Sequence, residues 1–136
     1  MRIKLDAHGI MPERAHSTDA GLDIKSPCDV YVPANGGCII HTGVHVELPE
    51  HTAGLLVSKS GLNVKHGITT TGLIDEGYSG EIVVRMDNHG STGYLVHKND
   101  KITQLVVIPV YYEHIEVVEE LSSSERGADG FGSSGR

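Results

Sequence analysis

Aromatic side chains are scarce in this sequence. Tryptophan is absent, phenylalanine occurs once, at Phe131, and aromatics make up 4% of the 136 residues. Any core is therefore built mainly from Val, Ile and Leu. Cysteine is limited to Cys28 and Cys38, too few for a disulfide framework, and both are read as reduced, partly buried thiols. Positive charge is also short: 11 Lys and Arg stand against 18 Asp and Glu, a formal charge of −7. A nucleic-acid polymer needs a basic face, so that partner class is excluded. A single nucleotide is not, because Mg²⁺ and a few local cations neutralise its phosphates. No apolar run approaches the roughly 20 residues that cross a bilayer, and the charged N-terminus lacks a signal-peptide core. The expectation is a soluble, cytoplasmic protein of one domain.

Histidine, by contrast, is plentiful, with nine residues. His41 and His45 have the spacing that pairs zinc ligands on a helix, but HTGVHVELP alternates as a strand does. The histidines are read as scattered surface or half-buried side chains, with no dedicated metal ligands.

Extended signals dominate the chain. Val30–Val32, Cys38–Leu48, Ala53–Val57, Glu81–Met86, Gly93–His97, Lys101–Val110 and Ile115–Val118 read as strands bounded by Gly, Pro, Asn or Asp. In the second of these, Val44, Val46 and Leu48 share one face while His45 and Glu47 take the other. Pro33, Pro49 and Pro109 fall at strand ends, where a missing N–H is tolerated. The one helical candidate is a short turn at Ser60–Lys65. Many short strands and almost no helix predict an all-β sandwich or barrel. From Ser122 the composition becomes serine- and glycine-rich, which predicts a β domain over 1–121 and a flexible arm over 122–136.

Two segments carry chemistry. Gly72–Glu81, GLIDEGYSGE, sets Asp75 and Tyr78 among glycines on an expected hairpin. A carboxylate there is placed to orient or deprotonate a water, and the phenol offers a flat surface for a ring. Asp is also an ordinary turn former. Arg126–Gly135, RGADGFGSSG, is glycine at four of ten positions, so it is neither helix nor interior strand. It holds one cation, one ring, two serines and many free N–H groups, the parts needed to wrap a polyphosphate and cover a base. A polar tail is the alternative.

Together with AGLDIKS at Ala20–Ser26, SKSGL at Ser58–Leu62 and NDKITQL at Asn99–Leu105, these segments resemble the five ordered motifs of trimeric dUTP pyrophosphatases, the dUTPases. The resemblance implies a jelly roll with one short helix and a flexible C-terminal arm. It implies hydrolysis of dUTP to dUMP and pyrophosphate, with Mg²⁺ held mainly by the substrate phosphates. It also implies a homotrimer in which the arm closes over a neighbouring subunit's site. By resemblance, Asp75 activates the water and Tyr78 stacks under deoxyribose, refusing a 2′-hydroxyl. The backbone through Thr69, Gly72 and Ile74 reads uracil. Lys59, Ser60, Gly61 and Gln104 bind phosphate, and Asp23 orients a cation or a metal-bound water. Arg126, Gly132, Ser133 and Ser134 clamp the terminal phosphate, and Phe131 covers the base.

Four positions depart from the family pattern, among them Ser134, where the family often has threonine. Lys59 stands where arginine is usual and lacks the bidentate fork. Thr69 stands where some relatives have asparagine, and Asp129 puts a carboxylate near the phosphates. The rival dCTP deaminases carry a Glu in the strand after the hairpin, where this chain has Arg85. A dUTPase-like regulatory protein that binds a partner and turns over weakly is the other alternative. A dinucleotide-type phosphate loop in GADGFG fails, because no strand enters it and no helix leaves it.

Overall fold

The computed structural model describes residues 1–125 and 127–128. Among them run β1 (Arg2–Leu5), β2 (Gly21–Lys25), β3 (Val30–Val32), β4 (Gly36–Glu47), β5 (Thr52–Ser58), α1 (Ser60–His66), β6 (Ile68–Ile74), β7 (Glu81–Asn88), β8 (Tyr94–Val96) and β9 (Lys101–Pro109). Seven strands form one curled antiparallel sheet in the order β1-β4-β7-β6-β5-β9-β2, and β3 pairs with β8. This is the all-β jelly roll expected from the sequence, with one short helix. No helix among the described residues is long and apolar enough to cross a membrane.

Period-two alternation explains how the sheet closes on itself. On β4, Ile40, Val44 and Val46 are buried, followed by Leu48, while Glu47 faces out. On β7, Ile82, Val84 and Met86 point inward while Val83 and Arg85 point outward. These side chains join Ile24, Ile68, Ile102 and Leu105 in a single aliphatic core, as the shortage of aromatics requires. Pro33 and Pro49 lie just beyond β3 and β4, and Pro109 is the last residue of β9.

Several expectations fail, each for a physical reason. Ile115–Val118 is not a strand: residues 111–118 carry no regular structure, and Ile115 and Val117 are 86% and 96% exposed. The segment has strand character but pairs with no strand among the described residues. β1, β2 and β6 are strands beyond those expected from the sequence. β6 reads ITTTGLI, whose threonines lower its hydropathy although they are β-branched. One of them, Thr70, is buried, and its hydroxyl donates to Thr103 Oγ1 at 2.8 Å. Cys28 is exposed rather than partly buried, whereas Cys38 is intermediate and its burial pushes the thiol pKa up.

Candidate active site

Residues 72–81 do not form the tight hairpin expected. β6 pairs with β7 only through Ile68, Thr69 and Thr70. From Thr71 to Ile74 it pairs with β5 instead. β7 pairs with β4 along its other edge from Glu81 to Asn88, and only Met86–Asn88 also pair with β6. The two strands thus separate beyond Thr70, and alternate main-chain N–H and C=O groups of both facing edges lack a partner across the gap. Leu73, Ile74, Asp75, Tyr78, Glu81 and Val83 line a cleft of about 280 Å³ there.

A turn caps this cleft. The Tyr78 N–H donates to Asp75 O at 3.2 Å, and Gly77 takes φ = 80°, as the third residue of a type II turn requires. Asp75 is exposed. The Tyr78 ring folds back over Gly80, where an added Cβ would lie 2.3 Å from the phenol oxygen. The Tyr78 hydroxyl donates to Glu81 O at 3.1 Å. Behind the turn, Glu76 accepts from the His51 N–H at 2.8 Å and from the Tyr112 hydroxyl at 2.5 Å. Gly72 admits no side chain freely, since a Cβ would press on Leu56 at 3.0 Å. Thr69 stands at the root of the split, its hydroxyl 2.9 Å from His89 Nε2.

The second group of expected residues is assembled by β2, β9 and β5. Asp23 lies opposite Gln104, which lies opposite Val57, so β5 delivers Lys59 and Ser60 to the same end of the sheet. Asp23 is 4% exposed. One of its oxygens takes the Lys59 ammonium, and the other takes Lys101 Nζ at 2.7 Å. Burial pushes the Asp23 carboxyl up, but the two ammonium groups outweigh it and hold it below the usual carboxylate range. The same contact raises Lys101. Gln104 reaches Ser58 O at 3.4 Å.

Ser60 does not cap the helix. Lys59 holds the N-cap position with extended backbone (φ −69°, ψ 126°) and no side-chain cap bond, and Ser60 is the first helical residue. The first turn carries no acid, while Lys65 and His66 occupy the last. No acid in the first turn opposes an anion at the N–H groups of Ser60 and Gly61, and Gly61 opens onto free space.

One chain does not bring the two groups together. Gly54 is opposite Ile74, which sets Asp75 beside Ala53, six strand steps or roughly 20 Å from Lys59. The arm residues Arg126, Phe131, Gly132, Ser133 and Ser134, with Asp129, lie outside the described residues. Lys101 was not singled out from the sequence, because only the β2–β9 register reveals its partner. Three of the nine histidines depart from the scatter expected. His8, His41 and His45 gather beside Asp6 and Glu81.

A jelly roll with a backbone-lined cleft under a carboxylate and a phenol, and a separate cationic strand end, has the build of a nucleotide-handling domain. The dUTPase family model matches residues 7–135, and the chain belongs to the dUTPase family. It is 45% identical over 135 residues to the deoxyuridine 5′-triphosphate nucleotidohydrolase of Clostridioides difficile, covering 97% of this chain and 94% of that one. The dUTPase of Staphylococcus bacteriophage 80alpha, solved with dUPNHPP, superposes with a TM-score of 0.93 at 34% identity, covering 99% and 98% of the two chains. A mutant dUTPase from phage phi11 of S. aureus, described for its coordination of a structural Mg(II) ion, gives 0.81 at 31% identity over 88% and 96%.

Proposed function

We propose that this chain hydrolyses dUTP to dUMP and pyrophosphate as a homotrimer. The observation that carries the reading is the separation of β6 from β7 beyond Thr70. It leaves main-chain donors and acceptors facing a cleft, as an unpaired strand edge does. Uracil presents an acceptor, a donor and an acceptor along one edge, so it occupies the gap as a strand would. Cytosine, with an amino group at the first of these positions, meets a donor and is refused. Thr69, Gly72 and Ile74 contribute the β6 edge.

Tyr78 lies under the deoxyribose, and the bulk of its ring leaves no space for a 2′-hydroxyl, which is a steric rather than a hydrogen-bonding filter. Asp75 orients a water and accepts its proton as the oxygen bonds to the α-phosphorus. The bond from that phosphorus to the bridging oxygen breaks, and pyrophosphate leaves with the oxygen. Ser60, the Gly61 N–H, Lys59 and Gln104 hold phosphate oxygens, with Asp23 fixing the lysines. The arm over 122–136 completes the site, with Arg126, Ser133 and Ser134 on the terminal phosphate beside the Gly132 N–H, and Phe131 over the base.

Among the described residues no three His, Cys, Asp or Glu side chains are grouped to hold a metal. Mg²⁺ carried on the triphosphate needs no such cage and supplies charge neutralisation when bound. The distance of roughly 20 Å between Asp75 and Lys59 supports a site shared between copies. The exposed strand-like segment at Ile115–Val118 supports a chain that reaches a neighbour.

The test is a product assay with dUTP, dCTP, dTTP and UTP, each with Mg²⁺, resolved by chromatography. Conversion of dUTP alone to dUMP and pyrophosphate is expected, and deamination of dCTP would move the protein to the sister family. No turnover with dUTP still bound would favour the regulatory reading. Removing Arg126–Arg136 should cripple turnover while light scattering still reports three copies.

A further inference from the structure

The turn bearing Tyr78 is tied to a cluster of ionisable groups that the reaction does not use. β4 carries an irregularity between His41 and His45, where Gly43 takes φ = 66°. Only glycine fits, because a Cβ would lie 2.8 Å from Gly9. The bulge turns the Gly43 N–H onto Glu81 Oε1 at 2.8 Å and leaves His45 facing the Tyr78 turn. His45 Nδ1 lies 2.9 Å from Ser79 O, and Nε2 lies 3.1 Å from Asp6 Oδ2.

Both partners of the ring are acceptors only. A carbonyl and an ionised carboxylate each need an N–H, and a neutral imidazole has one. The full set of bonds therefore exists only for the imidazolium. Ser79 directly follows Tyr78, whose hydroxyl and ring rest on Glu81 and Gly80. Holding Ser79 O fixes the backbone on which the phenol sits.

We propose that His45 is a positioning residue for Tyr78: as the imidazolium it bridges Asp6 and Ser79, and loss of its proton loosens the turn and weakens rejection of a 2′-hydroxyl. This rests on the reading of the cleft as the deoxyribose site. Ser79 and Asp6 favour the charged form, while burial and Lys4 oppose it more weakly. Lys4, opposite His45 on β1, and Asp6 just beyond it approach one another at 3.8 Å. Arg2 is paired with Glu47. On the β7 side Glu81 holds His41 at 2.8 Å and His8 at 3.8 Å. The bond to Ser79, and then that to Asp6, raise the His45 pKa above its ordinary value. The same contact, led by the His45 hydrogen bond, lowers Asp6. A raised folded pKa means the bridge is fully present below the unfolded value of 6.5 and is lost as pH rises through the folded one.

Two measurements on the full chain test this. In ¹⁵N–¹H spectra without nucleotide, the Ser79 and Gly80 amides should shift in step with the His45 ring, at a midpoint above the ordinary histidine value. Amides that stay flat through that titration would overturn the bridge, whether or not the protein hydrolyses dUTP. The second measurement is the ratio of kcat/KM for dUTP to that for UTP, in which the shared titrations of phosphate and base cancel. From about pH 6 to about pH 9 the ratio should fall about tenfold, the loss of one charge-assisted hydrogen bond. His45→Gln should show a low, flat ratio with kcat for dUTP little changed. Asp6→Asn should move the fall to lower pH, and it decides the matter if His45→Gln does not fold. Coupled amides with a pH-independent ratio would overturn the positioning role while leaving the proposed hydrolysis standing.

Discussion

The two halves of the candidate site hold their carboxylates in opposite ways. Asp23 sits in the middle of a strand, 4% exposed, and both of its oxygens are bound by lysine ammonium groups. Asp75 is exposed on a turn, and the contact made there is through its backbone oxygen, to the Tyr78 N–H. A buried charge has to be paired, so removing one partner strands the other. A carboxylate on a turn keeps its oxygens free for water or substrate. The first arrangement couples the site to the stability of the sheet, and the second leaves it free for chemistry.

The largest expected effect breaks this contrast from the exposed side. Asp75→Asn should lower turnover about 100- to 10,000-fold, while the melting midpoint stays close to that of the parent and a non-hydrolysable dUTP analogue still binds. Comparable turnover in the variant would remove Asp75 from its role. Asp23→Asn should do the reverse and destabilise the fold first. Because Lys59 and Lys101 are partly solvated, the cost should be about 2–3 kcal/mol rather than the full penalty of a buried pair, read from urea unfolding. The pH profile separates the two as well. The Asp23 pKa is depressed in the folded state by Lys101 and Lys59 acting against burial. Its stabilisation is therefore complete above the unfolded carboxylate value and is lost as pH falls through the folded one. Parent protein should lose stability on acidification more steeply than Asp23→Asn.

What the sequence revealed follows the same division. The turn that carries Asp75 and Tyr78 was legible because it is local, with its glycines inside ten consecutive residues. The inward face of β4 was legible because Val44, Val46 and Leu48 alternate with polar residues. The Asp23–Lys101 pair was not, since it exists only through the register of β2 on β9. β6 was missed because its buried Thr70 is satisfied by Thr103, a contact that no hydropathy pattern contains. The splitting of β6 from β7 was hidden for a related reason. A run that reads as one hairpin has each strand shared between two neighbours, and pairing partners are a property of the whole sheet. Ile115–Val118 erred in the other direction, with strand chemistry present and no partner among the described residues.

A smaller effect is expected at Tyr78, where shape and hydrogen bonding separate. Tyr78→Phe keeps the ring and removes the bond to Glu81 O. It should raise KM for dUTP by a few-fold, the value of about 1 kcal/mol or less for one exposed hydrogen bond, and leave kcat near the parent value. UTP should still be refused, because the ring edge and not the hydroxyl fills the space. A variant that accepted UTP readily would assign discrimination to the hydroxyl.

The smallest effect tests whether the buried half tolerates a change of cation. Lys59→Arg replaces a compact ammonium with a planar fork, and the fork suits a carboxylate or a phosphate. Asp23 already has its second oxygen bound by Lys101 at 2.7 Å, so a bidentate grip on it would displace that lysine. The guanidinium is therefore expected to bind Asp23 through one nitrogen and to leave the other toward Ser60. Stability should change by no more than about 0.5 kcal/mol, and any gain should appear in KM for dUTP. If Lys59→Arg instead lost stability on the scale of Asp23→Asn, the two lysines would be acting as one unit around the carboxylate. Lys101→Met in the Lys59→Arg background would then separate the possibilities, by restoring stability only if crowding of two cations around Asp23 were the cause.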